Sequence, residues 1–335
     1  MDALERRLLN DFQRDFPLVR RPFAVLARSL GASEAWVIAK LCRFTAEGVV
    51  SRVGAVFRPG SIGVSTLAAM AVPAARLAAV AQSVNAHREV NHNYEREHAL
   101  NLWFVATAED GAKLRQALAA IESETGLPVV SLPLLADYHI DLGFDLDGGS
   151  KRRRQAAIAR APAARVALDG RDRKLIAALQ DGLPLAERPF GVLAERAGWT
   201  GAEGEQQALA RIASWRDQGV IKRFGVVLRH RPLGYVANAM CVWDIPAHEA
   251  DRIGRALAAE DGVTLCYRRA RVGTLWPYNL FIMVHGRSRA AAETRIALIN
   301  ARHGLARYAH AVLFSRRAFK QRGARYVETQ DARHG

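Results

Sequence analysis

The sequence of 335 residues has only three cysteines, Cys42, Cys241 and Cys266, and they are scattered. An odd, dispersed set of this kind favours neither a disulfide framework nor a zinc or iron–sulfur site. No uninterrupted apolar run approaches the length of a membrane span, and the charged N-terminus lacks the apolar core of a signal peptide. These absences predict a cytoplasmic protein with no membrane association.

Lysine is also scarce, although the chain is strongly basic. The sequence has six lysines among its 48 basic residues, a formal net charge of +15 and a pI of about 10.5. A balance of this kind predicts an anionic partner, either a nucleic acid or a polyanionic small molecule. Arginine binds carboxylate and phosphate through a planar fork, which lysine cannot do. A genome that encodes arginine in place of lysine would give the same composition, and this alternative stays open.

One stretch, Asn91–Phe104, combines titratable and aromatic side chains with strand-like alternation. If the strand is unbroken, His92, Tyr94, Arg96 and His98 lie on one face. That face offers two groups that titrate near neutrality, a phenol and a permanent cation. The alternative interpretation is a solvated strand face with polar side chains.

A second copy of this pattern occurs at Cys266–Phe281. The best match places Asn279 on Asn101 and requires a short insertion, Gly273–Leu275. The recurrence makes a chance origin of the first copy less plausible, and it favours a functional role for both stretches.

The same alignment makes three further positions equivalent. It pairs Arg271 with Arg96, Tyr267 with His92, and Trp276 with His98. Because Trp276 replaces His98, the two copies are expected to differ in chemistry, and at most one of them keeps a histidine-based reaction.

The first sixty residues carry the signals of a helix-turn-helix unit. Pro22 suits the first turn of a helix, Gly31 can end that helix, Ser33 can cap the next one, and Gly48 can end it. Val49–Phe57 follows as a strand or wing. The pattern then predicts a ferredoxin-like βαββαβ unit, from these segments: strand 66–72, helix 74–85, one or two strands in 90–107, helix 111–126 and strand 129–144.

The whole plan then repeats. Gly225 and Gly234 follow Gly54 and Gly63 at the same offset of 171 residues. The fold class is therefore α+β, a tandem repeat of a winged helix-turn-helix and a ferredoxin-like domain, packed as an internal pseudo-dimer. Further homo-oligomerisation stays open. The predicted units are residues 1–60 and 61–147, a linker at 148–167, and residues 168–232 and 233–335.

This architecture resembles the Lrp/AsnC family of transcription regulators. Three motifs, however, resemble those of siroheme decarboxylases, which share that architecture. The motifs are Arg96–Phe104, Trp276–Phe281 and Phe319–Tyr326. Siroheme decarboxylases commonly comprise two homologous subunits, and here both are expected in one chain.

The resemblance implies a carboxy-lyase of haem d1 biosynthesis. Such an enzyme removes carbon dioxide from the C12 and C18 acetate groups of siroheme and leaves methyl groups. Because the substrate carries its own iron, no further cofactor or resident metal is expected. A histidine ligand to the substrate iron stays unassigned, and the lone His139, His285 and His310 are expected to be core or surface residues. The candidate catalytic residues are His98, Arg96, Tyr94 and His92, and the candidate substrate-binding residues are Tyr267, Arg268, Arg271, Trp276, Tyr278 and Trp103.

A DNA-binding regulator that responds to a small ligand is the alternative function. Its recognition helices would be Ser33–Arg43 and Thr200–Arg211. The first is poor in side chains that read bases, and the second carries Glu203 and Glu205, which phosphates repel. The sequence therefore predicts no specific DNA binding.

Overall fold

The computed structural model describes residues 1–140, 166–229 and 231–327, so the predicted linker up to residue 165 and its basic run 151–154 lie outside the described residues. Two halves repeat one order of elements, which confirms the predicted fold class. The first half contains α1 (Ala3–Asp11), α2 (Pro22–Leu30), α3 (Glu34–Ala46), β1 (Val50–Phe57), β2 (Val64–Met70), α4 (Leu77–Ala86), β3 (Val90–Arg96), β4 (Leu102–Ala108), α5 (Gly111–Thr125) and β5 (Val130–Ile140). The second half contains α6 (Gly170–Gln180), α7 (Pro189–Arg196), α8 (Gly201–Asp217), β6 (Ile221–Leu228), β7 (Ala237–Trp243), α9 (Ala247–Ala258), β8 (Val263–Arg269), β9 (Leu280–Gly286), α10 (Arg289–His303) and β10 (His310–Gln321).

The helix-turn-helix signals act as the sequence predicts. Pro22 is the first residue of α2, and Gly31 ends it in the left-handed conformation, with φ of 68°. The Ser33 hydroxyl accepts the Trp36 N–H at 3.1 Å and caps α3. Local capping therefore determines the geometry of this unit.

Strand β1 does not form an isolated wing. It pairs antiparallel with β6, and Gly54 lies directly opposite Gly225 at the centre of the two-stranded sheet. A Cβ at Gly225 would lie 2.5 Å from the Phe12 oxygen and from backbone atoms of Gln13. The repeated glycines are therefore needed where the two helix-turn-helix units join and backbone segments approach closely.

The other eight strands form one closed barrel rather than two separate ferredoxin-like sheets. Its order is β10-β3-β4-β2-β5-β8-β9-β7, and β5 pairs with β8 while β10 pairs with both β3 and β7. The last strand of each half therefore extends the sheet of the other half. Within the described residues, closure leaves none of the eight barrel strands with an unpaired edge and makes the two halves a single unit.

Alternation along the strands divides the barrel into an inner and an outer core. The inner core contains Trp103, Trp276 and Phe281 from both halves. The outer faces pack against helices, with α4 and α5 over Phe104 and with α9 and α10 over Trp243. Among the residues that the structure describes, no helix is both long enough and apolar enough to cross a membrane.

Candidate active site

Two turns leave the barrel at one rim, residues 97–101 after β3 and residues 270–279 after β8. An asparagine holds each turn in the same way. The Asn101 amide exchanges hydrogen bonds of 2.9 and 2.8 Å with the backbone of Val72, and the Asn279 amide exchanges two of 2.9 Å with Ile245. The predicted equivalence of Asn101 and Asn279 is therefore confirmed.

The residues that enter these turns are Arg96 and Arg269. The Arg96 N–H donates to the Asn101 carbonyl at 2.8 Å, and the Arg269 N–H donates to the Asn279 carbonyl at 2.9 Å. Arg269 is thus the equivalent of Arg96, and the alignment that pairs Arg271 with Arg96 is wrong. The reason is that the longer second turn begins directly after Arg269.

The same register identifies the equivalent tyrosines. Tyr94 pairs with Trp103, and Tyr267 pairs with Phe281 at the matching place in the second half. The alignment that pairs Tyr267 with His92 is therefore wrong, since Tyr267 is the equivalent of Tyr94. Both strands carry the same motif, a tyrosine followed two residues later by a buried arginine.

The Arg96 side chain crosses the barrel interior. It is only 6% exposed, and its Nη1 donates to the Leu313 carbonyl at 3.0 Å and to Asn238 Oδ1 at 3.4 Å. Its guanidinium lies 5.6 Å from the ring centroid of Tyr94. No carboxylate pairs with it among the described residues, and burial lowers its pKa. The site therefore contains a buried cation without an internal counter-ion.

Arg269 repeats this arrangement on the other side. It is 9% exposed, its Nη1 donates to the Leu132 carbonyl at 2.7 Å, and its guanidinium lies 4.6 Å from the Tyr267 ring. Burial lowers its pKa as well. Each arginine thus donates to a leucine carbonyl of the opposite half. The prediction of site residues omitted Arg269, although the repeated Tyr-x-Arg spacing was a signal for it.

His98 lies in the turn after β3 rather than on the strand, because β3 ends at Arg96. Its Nδ1 accepts the Leu100 N–H at 3.0 Å, which assigns the ring proton to Nε2. Burial lowers the pKa of His98 from its usual 6.5. The residue is therefore a neutral imidazole near pH 7, with Nε2 as the donor.

Trp276 is the centre of an aromatic group at this rim. Its ring lies edge-on to His98 at 5.4 Å, to Trp103 at 4.8 Å and to Tyr278 at 5.0 Å, measured between centroids. Trp276 is fully buried, and its Nε1 has no hydrogen-bond partner in the described part of the chain. The two turns therefore meet, and residues from both halves form one wall.

The remaining predicted residues fall into two groups. His92 and Tyr94 lie on β3 with parallel rings 6.3 Å apart, on the same strand as Arg96. Arg268 instead lies on the helix side of β8, where its Nη1 is 3.0 Å from Asp251. Arg271 anchors its own turn through Asp244 at 2.9 Å and two backbone carbonyls. The Arg268 and Arg271 side chains are therefore both held by carboxylates outside the aromatic group.

His285 is also connected to this region, although it appears isolated in the sequence. Its two ring nitrogens lie 3.0 Å from the Asn238 amide and 3.0 Å from the Thr264 hydroxyl. Asn238 also accepts the hydrogen bond from Arg96. His285 therefore supports the side chain that holds Arg96.

One acidic residue of each recognition helix makes internal ion pairs. Glu34 of α3 pairs with Arg21, and the buried Glu205 of α8 pairs with Arg188 and, from the other half, with Arg20 at 3.7 Å. Glu34 and Glu205 are thus engaged within the protein, and the Glu205–Arg20 pair joins the two helix-turn-helix units.

Comparisons with known proteins agree with this arrangement. The family model for an AsnC-like ligand binding domain matches residues 61–139 and 232–320, and that for a siroheme decarboxylase NirDL-like HTH domain matches residues 5–50 and 172–222. The siroheme decarboxylase NirDL subunit of Paracoccus denitrificans (strain Pd 1222) is 48% identical over 98% of each chain. The siroheme decarboxylase NirD subunit of Pseudomonas aeruginosa is 50% identical over 44% of this chain and 98% of its own length.

A solved structure matches over nearly the whole chain. The crystal structure of the siroheme decarboxylase NirDL in co-complex with an iron-uroporphyrin III analogue has a TM-score of 0.69 and 26% identity. The match covers 96% of this chain and 93% of the other. With the full-length relative and both family models, it shows that this chain belongs to the siroheme decarboxylase NirDL family.

Proposed function

We propose that this protein is a siroheme decarboxylase that removes the C12 and C18 acetate carboxyl groups and yields 12,18-didecarboxysiroheme for haem d1 biosynthesis. The proposal rests on one observation: the site combines two buried arginines, which have no carboxylate partner among the described residues, with an aromatic wall. A flat macrocycle with carboxylate substituents has the complementary chemistry, since its face suits the aromatic rings and its anions suit the guanidinium groups.

Each decarboxylation breaks one carbon–carbon bond and releases carbon dioxide. The bonding electron pair stays on the side-chain methylene, where the macrocycle delocalises it, and one proton then converts the methylene to a methyl group. The protein must therefore hold the macrocycle, favour the loss of an uncharged product and deliver a proton.

Arg96 acts on the carboxylates that stay on the macrocycle. A guanidinium that bound the reacting carboxylate tightly would stabilise the ground state more than the transition state and would slow the reaction. The buried position of Arg96 strengthens its interaction with an anion, because the surroundings screen the charges poorly. Its role is therefore to bind and orient the substrate.

His98 delivers the proton to the new methyl group from Nε2, and the same nitrogen takes a replacement proton from solvent, so the imidazole ends each step neutral. The hydrogen bond from Leu100 to Nδ1 supports this role over iron ligation. Ligation through Nε2 would require the proton on Nδ1, where the Leu100 N–H already points. His92 and Tyr94 lie on the same face of β3 as Arg96 and are the next candidates for proton transfer or iron ligation.

Trp103 and Trp276 exclude water from the reacting side chain. An apolar wall disfavours the carboxylate relative to uncharged carbon dioxide, which lowers the barrier to its loss. Both rings are buried within the barrel, at 1% and 0% exposure. Tyr278 completes the wall on the side of the second turn.

The direct test is to incubate the purified protein with siroheme under reducing, oxygen-free conditions and to follow the product mass. We expect the macrocycle to lose the mass of two carbon dioxide molecules with no added cofactor. An unchanged mass would contradict the proposal. The cytoplasmic location and any assembly beyond the single chain stay predictions.

A further inference from the structure

We infer that Arg269 is a second carboxylate-binding residue of this site, for an acetate or propionate group that stays on the macrocycle. The inference rests on the proposed function and adds a residue to it. Arg269 is the last residue of β8, so its guanidinium lies at the base of the turn that carries Trp276 and Tyr278. It thereby gives the second half an anion-binding group at the same rim as Arg96.

The hydrogen bonds of Arg269 leave part of its planar fork available. Nη1 donates to the Leu132 carbonyl at 2.7 Å and the side chain also hydrogen-bonds Tyr267, while Nε has no acceptor within the described ranges. The guanidinium is nine-tenths buried, and none of the described carboxylates pairs with it. Burial of an uncompensated cation is unfavourable, and an entering carboxylate would offset that cost through two parallel hydrogen bonds.

The neighbouring arginines of β8 and its turn are already engaged elsewhere. Arg268 pairs with Asp251 of α9 on the opposite face of the strand. Arg271 donates to Asp244 and to the carbonyls of Pro277 and Ile245. By elimination, Arg269 is the arginine of this segment whose donors face the barrel interior.

Arg96 and Arg269 differ in the support that they receive. Asn238 accepts a hydrogen bond from Arg96 and is itself held by His285 and Ser315. The described contacts of Arg269 with groups other than backbone are with Tyr267. Arg96 therefore has a side-chain amide acceptor that Arg269 lacks among the described residues.

The test compares siroheme binding by the full-length wild type, R269M, R269K and the matched control R268M. Binding is followed by oxygen-free titration of the Soret band, and the folded state of each variant by circular dichroism. We expect R269M to raise the Kd for siroheme by roughly 10- to 100-fold, as for the loss of a hydrogen bond to a charged group. R269K should have an intermediate Kd, because it keeps the charge but not the fork, and R268M should bind like the wild type.

The alternative is that Arg269 only braces the two halves through Leu132. R269M would then have a lower Tm and an unchanged Kd at temperatures where it is folded, and that result would overturn the inference. If R269M does not fold, R269Q decides, since it keeps a neutral polar side chain but loses the charge. A wild-type Kd for R269Q would overturn the inference, and a raised Kd would support it.

The wild type separates this inference from the function on which it rests. Wild-type protein that neither binds nor converts siroheme would remove the proposed function, whatever the variants do. Wild-type protein that converts siroheme, together with an R269M variant of unchanged Kd, would remove the role of Arg269 alone.

Discussion

At position 98 a single hydrogen bond decides which ring nitrogen can act. The Leu100 N–H occupies Nδ1, so the proton is on Nε2. If that proton reaches the new methyl group, His98→Ala should bind siroheme normally and keep its Soret band, because the arginines and the aromatic wall remain. Turnover should fall by roughly 10²–10⁴-fold, as for the loss of a general acid.

The matched control for this prediction is His310→Ala. His310 is exposed at the start of β10, and its Nδ1 lies 2.9 Å from the Tyr308 carbonyl. Its removal should leave turnover unchanged. A His98→Ala variant that turns over like the wild type would show that His98 is only a polar turn residue, and a shifted Soret band would assign it to iron ligation.

The burial of His98 also makes a prediction about folding stability. Its pKa in the folded protein is lowered from the usual 6.5, so the unfolded chain takes up the proton first as the pH falls. This contribution to stability is complete above the unfolded pKa and is lost as the pH falls from there toward the folded pKa. The free energy of unfolding in urea should therefore fall less between about pH 7.5 and about pH 5.5 for His98→Gln than for the wild type. An equal fall in the free energy of unfolding for both proteins would contradict the lowered pKa of His98.

The sequence predicts the chemistry of single residues better than their equivalence. The polar face of β3 follows from alternation, since His92, Tyr94 and Arg96 need only the period of a strand. Arg269 was missed because the second turn is longer, and an alignment without coordinates cannot place an insertion. A hydrogen-bond register was required to show that the extra residues follow Arg269.

At the scale of elements, the pairing of β1 with β6 depends on close backbone approach. We expect Gly225→Ala to destabilise the protein by about 1–3 kcal/mol, the range for overpacking, because the added Cβ would lie 2.5 Å from backbone atoms of Phe12 and Gln13. Gly170→Ala is the control, since nothing lies within 4 Å of its Cβ position. Chemical denaturation gives the free energy of unfolding of both variants. Equal values would argue against close backbone packing between β6 and the segment that contains Phe12 and Gln13.

Most elements could be predicted from local signals, but their partners could not. Proline, glycine and serine at helix ends identify the helix-turn-helix, and alternation identifies the strands. The pairing of β5 with β8 and of β10 with β3, across the two halves, depends on contacts between residues far apart in sequence. A βαββαβ pattern gives the same local signal whether its sheet stays open or closes with a second copy.

For the whole molecule, two features give opposite expectations for DNA binding. The net charge of +15 favours it, whereas the internal ion pairs of the recognition helices oppose base recognition. We expect retention on any duplex at low salt, because the charge attracts phosphates. At physiological salt we expect no sequence selectivity, because Glu34 and Glu205 pair internally with arginines. Binding to random and genomic duplexes, titrated with salt, measures both the retention and the selectivity. A nanomolar, sequence-selective footprint would restore the regulator interpretation.

Barrel closure also brings residues of both halves together at the candidate site. The wall at the rim combines His98 and Trp103 of the first half with Trp276 and Tyr278 of the second. A site of this composition can be complete only when both halves are present. The two halves differ in two respects. His98 of the first half corresponds to Trp276 of the second, and Asn238, held by His285, supports Arg96 but not Arg269. The pseudo-twofold symmetry of the fold therefore does not extend to the chemistry.

The reaction of siroheme in deuterated buffer tests the central claim most directly. We predict that the oxygen-free wild-type protein removes two carboxyl groups as carbon dioxide and that each new methyl group, at C12 and at C18, carries one deuterium from the exchangeable acid. Mass spectrometry gives the loss, and nuclear magnetic resonance of the product gives the positions. An unchanged macrocycle, or a decarboxylated product without deuterium in its new methyl groups, would contradict the account.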